Sequence, residues 1–150
     1  MKFSIPSRFF TFIFTIGLSY SVIGQPNDWA NLAFVSKTKT FDENYGIEIE
    51  RIEPGILAQQ MNGKEIEVPG FIIPLTGKIE QSHFMFSKFP QNMCFFCGKA
   101  GPESAMQVFM KDDEKIPFTQ DKIKLKGTLI INNDEASGLL YTLQNGIIIE

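Results

Sequence analysis

Histidine is almost missing from this 150-residue chain: His83 is the only one, beside 14 Lys and Arg and 17 Asp and Glu. One imidazole leaves most general acid–base schemes a player short, and no Ser-His-Asp order, phosphate-cradling glycine loop or pair of catalytic carboxylates can be assembled. Cysteine is nearly as scarce. Cys94 and Cys97 can form one disulfide, and alone they supply half of the four ligands that a zinc ion takes. Excess positive charge is lacking too. The formal net charge is −3, and the lysines are interleaved with Asp and Glu, so no basic stripe exists to displace counterions from a phosphate backbone. Nucleic acid is excluded as a partner on that ground.

What is present begins at the N-terminus. Lys2 and Arg8 supply a charged opening, and Phe9 to Ile23 follow without a charge. The apolar run is shorter than the roughly 20 helical residues that span a hydrocarbon core, and Val22 and Gly24 stand at the minus-three and minus-one positions before Gln25. Residues 1–24 are therefore expected to be a cleaved signal peptide, giving an exported chain, periplasmic or secreted, with no transmembrane domain after cleavage. No cysteine follows the run to take a lipid anchor. Loss of Lys2 and Arg8 shifts the formal charge from −3 to −5.

Residues 25–150 suffice for one core without staples. Residues 25–53 read as an N-terminal arm, packed on the domain by Trp29, Leu32, Phe34 and Val35, with a polar stretch over 36–44 and a half-exposed strand at Ile47–Ile52. Residues 54–150 read as the domain. Pro54 and Asn62-Gly63 bracket a short helix. Two segments, 65–73 and 122–130, share one pattern: apolar residues alternate with charged ones, then Gly70 or Gly127 precedes an apolar run. A glycine inside a strand marks a bulge or bend, which lets one long strand serve both sides of a small closed barrel. Further strands are expected at 83–89, 105–110 and 139–143 with 147–149, and turns at Asn132-Asn133-Asp134 and Asn145-Gly146. The fold class is mostly β, an OB-like Greek-key barrel with an N-terminal arm; the alternative is a two-layer β-sandwich.

The run Asn62-Gly63-Lys64 through Val68-Pro69-Gly70-Phe71-Ile72-Ile73-Pro74-Leu75, the strand over 84–89, and the loop Met93-Cys94-Phe95-Phe96-Cys97-Gly98 ending at Pro102-Glu103 resemble an exported bacterial family, domain of unknown function 3299. The resemblance runs from about Trp29 to Leu143. It implies a small exported protein, in some members found beside envelope transport components, with no established reaction. Members also carry a further histidine and a proline run after the cysteines, where this chain has Gly98 and Lys99.

The Cys94-x-x-Cys97 motif carries what chemistry there is, and three readings stand. In an oxidising compartment it is a disulfide, though closing so short a loop adds only about 2 kcal/mol. It is a metal knuckle, with His83 and Glu103 completing a tetrahedral zinc or other transition-metal set. Or it is a thiol–disulfide exchange couple, which needs a lowered thiolate pKa. His83, beside Phe84 and Phe86, also fits a partly exposed side chain with a local partner. Phe95 and Phe96 in a loop are hard to bury, so Phe95, Phe96, Gly98 and Pro102 form the expected partner or ligand loop. The acidic groups at 112–114 and 134–135 read as solvated turns. These residues favour an exported binding or accessory protein over an enzyme, with an oxidoreductase and a structural envelope adaptor as the alternatives.

Overall fold

The computed structural model describes residues 27–43, 45–74, 76–132 and 139–150. The expected signal peptide, residues 1–24, and the expected new terminus Gln25 lie outside them, as do Asn133 and the acidic pair Asp134-Glu135. In chain order the elements are α1 (Trp29–Leu32), β1 (Val35–Asp42), β2 (Ile47–Pro54), α2 (Ile56–Met61), β3 (Glu65–Ile73), β4 (Glu80–Gln81), β5 (His83–Ser87), β6 (Ala105–Met110), β7 (Ile116–Pro117), β8 (Ile123–Ile131) and β9 (Tyr141–Ile148).

Period-two alternation builds a closed barrel, in the order β3-β5-β6-β9-β8 and back to β3. In β3 the buried positions are Ile66, Val68, Gly70 and Ile72, while Glu65 and Glu67 point out. Leu125, Leu129, Phe84, Phe86, Met106, Val108 and Leu143 complete the interior from the other strands. β6 and β9 run parallel, and the remaining barrel pairs are antiparallel. Closure into five strands is the OB-type Greek key that the alternation and glycine pattern implied, and not two packed sheets.

Both marked glycines sit where the ladder changes. Residues Glu65–Gly70 pair with Ile123–Thr128 of β8, then Phe71–Ile73 pair with Met85–Ser87 of β5. A Cβ at Gly70 would collide with the Ser87 carbonyl and lie 2.8 Å from the Phe86 ring, so only glycine lets β3 pass between its two neighbours. Gly127 alone faces two residues of β9, Asn145 and Gly146, across a register shift. Asn145-Gly146 is therefore a bulge inside one continuous strand, with Asn145 left-handed at φ 54°, and not the expected turn between two strands.

The arm closes one part of the barrel. Trp29 and Leu32 are fully buried in the same core as Ile66 and Leu129. The Trp29 indole donates to Pro69 O at 2.7 Å, the Asp28 carboxylate accepts from Glu67 N at 2.8 Å, and Tyr141 OH donates to Leu32 O at 2.8 Å. Phe34, by contrast, is 63% exposed. The polar stretch after it forms β1 of a two-stranded antiparallel hairpin with β2. Lys124, itself buried, reaches Glu67 at 3.1 Å, and the more exposed Lys126 reaches Glu65 at 2.7 Å, tying β8 to β3.

Candidate functional site

The β5–β6 ladder ends at the pair Ser87↔Ala105, and residues 88–104 leave it as one long excursion. A chain that neither crosses the barrel nor pairs with a strand must satisfy its backbone locally. It does so with three short 3₁₀ turns: Gln91–Met93, Phe95–Cys97 and Pro102–Ser104. The base is pinned by Lys88 N donating to Ser104 O at 2.9 Å, and the last turn by Ser104 Oγ donating to Gly101 O at 2.7 Å.

The cysteines hold the middle turn. Cys94 is fully buried between the first two turns and accepts at its carbonyl from Cys97 N at 3.2 Å. Gly98, left-handed at φ 69°, ends the turn by donating to Phe95 O at 2.8 Å. Both cysteines are free thiols. Cys97 is exposed, and its thiol donates to Gln91 O at 2.9 Å. Partial desolvation pushes the Cys97 thiol above its ordinary pKa, a hydrogen bond and the charge of Cys94 add to the rise, and the ammonium of Lys99 opposes it.

The rest of the expected ligand set does not join them. His83 starts β5, whereas the cysteine loop leaves its other end, four residues or about 13 Å away at strand rise. Its ring stacks on Phe109, its cross-strand partner, with centroids 4.1 Å apart and planes 11° apart. Glu103 lies in the last turn, where its carboxylate folds back over Gly101. Burial, and secondarily the Glu103 charge, drive the Tyr141 phenol well above its usual value. Among the described residues no three His, Cys, Asp or Glu side chains converge on a point that could hold an ion. The tetrahedral set Cys94, Cys97, His83 and Glu103 is not assembled.

Of the expected partner loop, Phe95 and Pro102 do meet a cavity. They line a cleft of about 950 Å³ that is bounded elsewhere by β2, by Gln59 of α2 and Asn62 just after it, and by Ile131, Asn132, Leu139 and Leu140. Phe96 and Gly98 are exposed, and Phe96 meets Phe95 edge to face with centroids 5.3 Å apart. Six consecutive residues of β2, Ile49 to Pro54, front this cleft. They bring Glu50, Arg51 and Glu53 to the cleft, a site that a half-exposed strand in the arm does not by itself announce. The signal was the alternation over 47–52; its meaning required β1, whose polar sequence hid a strand. A second cavity, of about 350 Å³, is lined by Cys97 together with Phe71, Ile72 and Phe118.

No protein-family profile, curated protein or solved structure matches the chain. Among the described residues no helix is long and apolar enough to cross a membrane.

Proposed function

We propose that this chain is an exported, non-enzymatic binding or accessory protein of the bacterial envelope, and that its partner binds in the β2 cleft. The observation that carries this reading is that six successive residues of β2 front the cleft. Successive residues point to opposite faces of a strand, and among the described residues β2 pairs only with β1, which supports reading the other edge of β2 as the part that fronts the cleft. An extended segment is the natural occupant of a strand edge. Phe95, Pro102 and Ile131 supply apolar contacts for alternate side chains, and Glu50 and Glu53, two carboxylates against the one Arg51, favour a basic residue among them. The surface ion pair of Glu50 with Lys37, at 3.7 Å between half-exposed groups, is weak enough to be exchanged. A segment of an envelope transport component, or a small ligand of the same shape, meets this description. The leader-like residues 1–24 support export.

The rival reading, an exchange catalyst, has less support: the cysteines sit at a three-residue 3₁₀ turn and not at the N-terminus of a longer helix, and His83 stacks on Phe109 at the start of β5, so neither is placed to lower a thiol pKa for repeated turnover. A peptide alternating Val and Lys, titrated into isotope-labelled processed protein, should shift the amides of Ile49 to Glu53 and Phe95. A Val-Glu peptide should bind at least about tenfold more weakly. Shifts confined to other surfaces, or none with either peptide, would remove the cleft as the binding site.

A further inference from the structure

The two thiols have unequal surroundings. Cys94 is completely buried, while Cys97 is exposed and lines the second cavity, about 350 Å³ in volume. Apart from Cys97, that cavity is built of Phe71, Ile72, Pro90 and Phe118 with the neutral amides of Gln91, Asn92 and Gln120. None of those neighbours ionises. Its volume and mixed lining suit a small uncharged molecule and are too small for a folded partner. A thiol therefore faces a small-molecule cavity, and a second thiol, at the other end of the same turn, stands out of reach of solvent.

We propose that Cys97 is a modification site that captures a low-molecular-weight disulfide, RSSR, from the second cavity, with Cys94 as the resolving thiol. In the first step the Cys97 thiolate attacks one sulfur of RSSR. A Cys97–S–S–R bond forms, the RS–SR bond breaks, and the departing thiolate takes up the proton that Cys97 lost. In the second step Cys94, as thiolate, attacks the Cys97 Sγ. The Cys94–Cys97 bond forms, the Cys97–SR bond breaks, and the second RSH leaves with the Cys94 proton. The cysteines lose two electrons and two protons, and RSSR gains both as two RSH.

Access sets the order, since RSSR reaches Cys97 and not Cys94. Proximity sets the second step, since the two residues bracket a single turn closed by the Cys97 N to Cys94 O bond of 3.2 Å. The product is a clip across the turn that carries Phe95, and it removes the thiol proton now donated to Gln91 O. This inference stands independently of the β2 cleft as a binding site.

The test uses bis(2-hydroxyethyl) disulfide as the probe and intact-mass spectrometry with acid quenching. The wild-type protein should lose two hydrogens, with two equivalents of mercaptoethanol released and only a transient adduct, mapped to Cys97. Cys94→Ser should hold one stable adduct on Cys97, and Cys97→Ser should react at least tenfold more slowly than wild type. The wild-type time course alone decides the matter if either variant fails to fold. A lasting adduct on the wild-type protein, a first adduct on Cys94, equal reactivity of Cys97→Ser, or a native chain inert while the denatured chain reacts would each overturn the proposal.

Discussion

At the scale of single residues, the chemistry of the loop turns on which sulfur meets water. Desolvation and Cys94 hold the Cys97 thiol protonated, and Lys99 is the only charge that opposes them. The lining residues contributed by β3 and by the segment 118–120 carry no ionisable group. Because the thiolate is the nucleophile, the rate at which Cys97 is modified should climb about tenfold per pH unit from 7 to 9 without a plateau. Lys99→Glu removes the one lowering influence and adds a raising one, so it should slow modification at fixed pH several-fold. A pH-independent rate across that range, measured by alkylation and mass spectrometry, would show that the thiol is not raised. His83 belongs to a different part of the barrel. His83→Ala should leave thiol reactivity unchanged and cost only the stack with Phe109, about 0.5–1.5 kcal/mol beyond its area.

At the scale of elements, much of the barrel could be read from spacing, because period-two alternation and interior glycine are direct consequences of closing a twisted sheet. The segments 65–73 and 122–130 became β3 and β8; Gly70 falls where β3 changes partner, and Gly127 at the register shift between β8 and β9. Gly70→Val should destabilise the fold by well over the roughly 1 kcal/mol of a generic strand substitution, since the new side chain meets backbone and a buried ring. Gly127→Val, with its Cβ 2.8 Å from Gln144 O, should do likewise by a smaller margin. Denaturant midpoints equal to wild type would refute the handover at Gly70. Other parts were not legible, for physical reasons. A bulge and a turn use the same left-handed Asn, so Asn145-Gly146 looked like a turn until both neighbouring strands showed one residue opposite two. β1 is exposed at most positions and carries no alternation of burial to betray a strand. The His83 contact to Phe109 and the cavity around Cys97 are long-range products of pairing, which no local spacing encodes.

At the scale of the whole molecule, stability and binding reside in different parts of the chain. The core joins the barrel to α1: Trp29 and Leu32 are as buried as Phe84 or Leu129, and the Trp29 indole also satisfies the Pro69 carbonyl. The β1–β2 hairpin shares little of this. Its six central β1 positions are exposed, as are Phe41, Tyr45 and Ile47 near its tip, yet β2 forms one wall of the large cleft. Trp29→Ala should therefore cost about 3–5 kcal/mol, the usual penalty for emptying a large aromatic site, and shift the denaturant midpoint of the whole barrel. Replacing residues 36–53 by a short Gly-Ser linker should do the opposite. The barrel should unfold within about 1 kcal/mol of wild type, because a surface connection costs mainly loop-closure entropy, while binding of the Val-Lys peptide disappears with β2. If the linker variant melts the barrel, the hairpin is part of the folding unit. If it folds and still binds, the partner does not use the edge of β2.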